Sequence, residues 1–97
     1  MTYPELQQAL AVFGLSGRAS LAELKARHRE LVKRLHPDTG TADPAGIRQV
    51  NAAYRVLQSY VATYRFSFAE EEFYEQNPDE RLRRQFGNDP IWGGGQP

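Results

Sequence analysis

The 97 residues carry twelve Lys/Arg and twelve Asp/Glu, so the formal net charge is zero, and there is no cysteine. A chain of this length makes one domain with a modest core. Disulfides and cysteine-based zinc sites are excluded, and no global field draws the chain to nucleic acid or to a membrane surface. The neutrality hides an asymmetry: residues 1–65 hold nine bases and five acids, whereas residues 66–97 hold three bases and seven acids. No apolar run approaches the ~20 residues needed to span a bilayer. The opening MTYPELQQALAVFGL has neither the basic start nor the apolar centre of a signal peptide. We therefore expect a soluble, cytoplasmic protein.

The first element predicted is a short helix over about 4–13. Thr2 or Tyr3 caps it, Pro4 suits its first position, and Gly14 stops it. Leu6, Ala9, Leu10 and Phe13 share its apolar face. A second start is written in Ser20-Leu21-Ala22-Glu23, a capping box in which serine and glutamate each satisfy a free backbone N–H. Leu21, Leu24, His28, Leu31 and Leu35 then follow at spacings of three and four, which predicts an amphipathic helix over about 21–35. Lys25, Arg27, Arg29, Lys33 and Arg34 occupy its other faces, and Lys25, Arg29 and Lys33 form one row. Pro37 ends this helix.

Residues 36–43 read as a loop. Asp43 caps and Pro44 opens a third helix, over about 44–64. Ile47, Val50, Tyr54, Leu57, Val61 and Tyr64 give it the strongest periodicity in the chain, and Ala53 on the same face admits a close neighbour. Two long amphipathic helices joined by a short loop predict an antiparallel hairpin, with the first helix covering its open side. The tail is mixed: Phe66 and Phe68 alternate as in a strand, while Glu70 to Glu75 favour a helix. We expect an extended entry at 65–68 and a short helix from about Ala69. Asn77-Pro78-Asp79-Glu80 then starts another, over about 78–86. Residues 1–65 form the core and residues 66–97 an acidic, aromatic C-terminal extension.

A basic helix, His36-Pro37-Asp38, a polar loop and then IRQVNAAYRVL together resemble the J domain of the DnaJ (Hsp40) co-chaperone family. The likeness covers roughly residues 9–61. Asn51, Ala53, Tyr54, Val56 and Leu57 match the family's third-helix pattern, and NPDERLRRQFG at 77–87 is similar to its short fourth helix, displaced by an insertion around 61–76. The resemblance implies an all-α fold: a J-domain antiparallel helical hairpin with a short N-terminal helix and one or two short C-terminal helices. It also implies that the chain binds a DnaK-type heat-shock ATPase and stimulates its ATP hydrolysis, without being an enzyme. The contact would be made by His36, Pro37 and Asp38, with Lys25, Arg27, Arg29, Lys33 and Arg34 supplying the charge. Three positions depart from the pattern: His28 replaces a tyrosine, Glu30 a frequently basic residue, and Leu35 a residue that is commonly aromatic. Within these residues no Gly/Phe-rich linker, zinc module or client-binding domain follows.

Blander readings stand beside these. Bases at helical spacing are by default a solvated face. Five bases against two acids over 21–35, in a chain of zero net charge, argue instead for an acidic partner. The same face lacks the interleaved aromatics of a nucleic-acid binder. His36 has no second ligand or acid pattern to make it a metal or catalytic site, and Asp38 alone could be a turn former. We expect no cofactor, metal, nucleic-acid or membrane partner, and a monomer. His28 belongs to the core, where it could hydrogen-bond across the hairpin. The EEEFYE segment is either a solvated turn or a mask folded over the basic helix. An alternative function is that of a J-like adaptor, in which Phe73, Tyr74, Ile91 and Trp92 hold a different protein.

Overall fold

The computed structural model describes residues 1–35 and 42–87. His36, Pro37 and Asp38, and Ile91 and Trp92 near the C-terminus, lie outside the described residues. The fold is all-α: α1 (Tyr3–Phe13), α2 (Leu21–Leu35), α3 (Pro44–Ala62), α4 (Glu70–Gln76) and α5 (Pro78–Gly87), with no strand among the described residues. Two compact units divide the chain, Met1–Tyr64 and Arg65–Pro97.

Each helix of the first unit begins and ends for a local reason. The Glu5 N–H donates to Thr2 Oγ1 at 3.3 Å, which makes Thr2 the cap of α1. At the other end Gly14 takes a left-handed conformation, φ 64°. Its N–H donates to Ala11 O and that of Leu15 to Leu10 O, at 3.2 and 3.0 Å. This paired closure satisfies carbonyls that the helix leaves open, and it favours a residue without Cβ. The capping box of α2 forms in both directions: Ser20 N to Glu23 Oε1 at 2.8 Å, and Glu23 N to Ser20 Oγ at 3.1 Å. Asp43 caps α3, accepting from Gly46 N at 3.0 Å.

The core is small and contiguous: Ala9 and Phe13 of α1, Leu24 of α2, and Val50, Ala53 and Leu57 of α3. Alanines on α1 and α3 let these two helices pack closely, and Phe13, only 1% exposed, fills the junction with α2. α2 and α3 run antiparallel. Leu35 meets Asp43 at one end, and seven residues back along α2 His28 meets Asn51. Two expected core residues are not in the core. Leu21, in the first turn of α2, is 46% exposed. Tyr64 is 51% exposed because α3 stops at Ala62, where the Thr63 hydroxyl turns back to Ser59 O at 3.0 Å; its ring meets Tyr60 instead.

In the second unit, residues 65–69 have no regular structure and the glutamates prevail from Glu70 onward. Three acids in the first turn of α4 face its positive end. Asn77 ends α4 through Nδ2 to Phe73 O at 2.9 Å and starts α5 through its carbonyl, which accepts from Glu80 N at 3.0 Å. Ion pairs Arg84–Glu70 (3.3 Å) and Arg81–Glu75 (3.7 Å), with Arg84 over the Tyr74 ring at 5.3 Å, join the two helices. None of the described residues in this unit is buried.

Phe13→Ala should cost about 3–5 kcal/mol in urea unfolding, because three helices lose their shared filler. A second expectation concerns acid. The Ser20 backbone N–H, and then its hydroxyl, hold the Glu23 pKa below the usual carboxylate range. The folded state therefore favours the ionised form. That stabilisation is complete above the unfolded glutamate value and is lost as pH falls through the lower folded value. Glu23→Gln, which removes the titrating group itself, should make the acid limb of a stability–pH curve shallower, as followed by circular dichroism, and Ser20→Ala should do so less because the Ser20 N–H remains.

Candidate functional site

α2 turns one face to the core and two to solvent. With about 100° per residue, Leu24, His28, Leu31 and Leu35 share the inner face. Leu24 is buried and the other three are half-buried. Lys25, Arg29 and Lys33 lie to one side as an exposed row, about 12 Å long at 1.5 Å per residue. Among the described residues none of the three has an ion-pair partner. No described acid compensates them, and along the chain the row ends three residues before the loop that begins at residue 36. Lys33 and Arg34 also sit favourably in the last turn, where the helix end is negative.

The other two predicted bases behave differently. Arg27 and Arg34 lie on the opposite side of α2, with Glu30 between them. Glu30 Oε1 takes Arg27 Nη1 at 2.6 Å and Arg34 Nη2 at 3.6 Å. Arg27 is half-buried, and its Nε donates to the Phe13 carbonyl at 2.9 Å, so it fastens the end of α1 to α2. Arg27 is therefore part of the scaffold, a role that its place among five bases did not suggest. The spacing of Glu30, three residues after one arginine and four before another, was the available signal.

His28 makes the bond expected across the hairpin. Its Nε2 lies 2.9 Å from Asn51 Oδ1, so the imidazole carries a proton there and donates it. The ring stacks on Tyr54, centroids 3.8 Å apart and planes 8° from parallel, and Phe13 lies parallel to both, 6.3 and 6.0 Å away. One ring from each of α1, α2 and α3 thus fixes the rotation of α2.

The loop itself is outside the described residues, but its base is not. Asp43 N donates to Leu35 O at 2.9 Å, tying the end of α2 to the start of α3. Gly46 lies directly beneath. A Cβ there would come within 2.6 Å of Asp43 Oδ2 and 3.2 Å of Leu35 Cδ2. Sequence reasoning passed over Gly46 because a glycine early in a helix normally reads as a weakness. Two surface hollows of this unit, about 270 and 300 Å³, are lined by α1 and α3 and do not touch the basic row. Among the described residues no three metal-ligating side chains converge, and no helix is long and apolar enough to cross a membrane.

Gly46→Ala should therefore reverse the usual rule. Alanine favours a helix interior by about 1 kcal/mol over glycine, yet here it should lower the urea midpoint and weaken amide protection at Asp43 in hydrogen exchange. Asn51→Leu should cost about 1–3 kcal/mol by leaving the His28 N–H without its partner. Adding His28→Phe to that variant should recover part of the loss in the same unfolding assay.

The comparisons with known proteins fall on this unit. A family model described as the DnaJ domain matches residues 9–63. The chain is similar to the chaperone protein DnaJ of Rickettsia prowazekii (strain Madrid E), 41% identical over 54 residues. That stretch is 54% of this chain and 15% of the Rickettsia protein, so the likeness is to a small part of that chaperone. No solved structure gives a significant match. With the hairpin, the basic helix and the family match together, the chain belongs to the DnaJ domain family and carries a J domain.

Proposed function

We propose that this protein is a co-chaperone that binds a DnaK-type heat-shock ATPase in its ATP state and stimulates hydrolysis. The observation that carries the reading is the row Lys25, Arg29 and Lys33 on α2, which has no ion-pair partner among the described residues and precedes, along the chain, the loop that contains His36, Pro37 and Asp38. A fixed row of cations attracts an acidic surface and sets its register. The loop residues then touch the ATPase at the hairpin tip. Arg27 and Arg34, on the other side of α2 and held by Glu30, stand outside this row. The protein performs no covalent chemistry in this scheme. It favours the hydrolysis-competent state of its partner, and the effect is a coupling between two binding equilibria.

The reading is tested by single-turnover ATP hydrolysis on a DnaK-type chaperone. Wild type should accelerate it, and His36→Gln should abolish the acceleration while leaving the helical circular dichroism spectrum unchanged. Arg29→Glu should raise the concentration for half-maximal stimulation roughly tenfold at low salt, and less at high salt. A folded wild type that stimulates none of the host's DnaK proteins would sink the proposal.

One observation favours a second reading, that of an adaptor acting through the extension. On α5, Arg81 and Arg84 face α4, whereas Leu82 and Phe86, four residues apart on the other side, remain 52% and 48% exposed. With Phe73 and Tyr74 of α4 these are side chains a different protein could cover. Removing residues 66–97 separates the two readings: a co-chaperone keeps its stimulation, and an adaptor loses its other partner.

A further inference from the structure

Glu30 is an acid on a helix whose excess of bases is its main feature. Its carboxylate is shared by two arginines, and both pairs are exposed enough to open: side chains of Arg34 and Glu30 are 66% and 53% exposed. Arg27 has a second anchor at Phe13 O, but Arg34 has no other ion-pair partner among the described residues. Arg34 stands two residues before His36, the closest described base to the loop. Glu30 therefore decides whether α2 presents only the row Lys25, Arg29 and Lys33, unpaired among the described residues, or a fourth cation on its other side.

We propose that Glu30 is a specificity-determining residue. It clamps Arg34, and so restricts the electrostatic contact to the narrow row Lys25, Arg29 and Lys33. This selects a DnaK-type partner whose acidic groups line up along one side of α2, and it disfavours one with a broad acidic patch. The inference rests on the co-chaperone reading and adds to it how the partner is chosen. The physical basis is that a carboxylate held between two guanidinium groups lowers their attraction for an outside anion. It also repels acidic groups that approach that side directly.

The test is a double-mutant cycle, read by fluorescence anisotropy of this full chain binding an ATP-loaded DnaK-type chaperone. The variants are Glu30→Gln, Arg34→Gln and both together, each checked by thermal melting. In wild type, Arg34→Gln should change the dissociation constant less than about twofold, because the arginine is already engaged. Glu30→Gln should tighten binding roughly threefold to tenfold at low salt and steepen the salt dependence between about 50 and about 300 mM. In the Glu30→Gln background, Arg34→Gln should now cost most of that gain. Steepened salt dependence is a readout that a purely structural role for Glu30 would not move. Equal cost of Arg34→Gln in both backgrounds would overturn the clamp while leaving the co-chaperone reading intact. Absence of binding by wild type and by Glu30→Gln alike would overturn both.

Discussion

A stacked pair of rings, with a third beside it, organises the first unit. Phe13 from α1, His28 from α2 and Tyr54 from α3 lie nearly parallel, with the imidazole and phenol rings 3.8 Å apart. Stacked rings keep their planes parallel, so the imidazole of His28 stays turned toward α3. The His28–Asn51 bond adds a directional lock. Once His28 is held inward, the 3.6-residue turn leaves α2 no freedom: Lys25, Arg29 and Lys33 emerge together on one side, and Arg27, Glu30 and Arg34 on the other. The orientation of the charged face is thus a consequence of core packing. Imidazole suits the position because it stacks like an aromatic ring and still donates a proton to an amide on the facing helix.

The second constraint is the closure of the loop. A chain leaving one helix and entering another must satisfy the last carbonyls of the first and the first N–H groups of the second. Here a single backbone bond, Asp43 N to Leu35 O, serves both helices at once. The Asp43 side chain caps α3 from the same place, and the absence of a side chain at Gly46 lets Leu35 and Asp43 approach. Cap, glycine and loop closure are one device, and it anchors both ends of the segment holding the His-Pro-Asp motif.

The extension follows different rules. Its two helices are joined by charge, with Arg81 and Arg84 reaching Glu75 and Glu70, and none of its described residues is buried. Surface ion pairs contribute little individually. Short helices of seven and ten residues depend on local devices, namely acids in the first turn and Asn77 serving both helices. Among its described residues α4 and α5 are joined by charged contacts, whereas the first unit has an apolar core.

The sequence alone determined the helices of the first unit, since their caps, periods and stops are local: Thr2 and Gly14, the Ser20–Glu23 box, Asp43 and Pro44. Its motif spacing also made the family legible, because His-Pro-Asp after a basic helix and the Asn51–Leu57 pattern are both short-range. The tertiary structure decided what depends on neighbours distant in the chain. Tyr64 and Leu21 satisfy the helical period, yet lie past or at a helix end and stay half exposed, 51% and 46%. Arg27 reads as one base among five until it meets the Phe13 carbonyl, fourteen residues away, and Gly46 reads as a helix weakness until Leu35 lies above it. Period and capping are properties of a single helix. Which charge is engaged, and which glycine is crowded by its neighbours, depends on where other segments place their atoms.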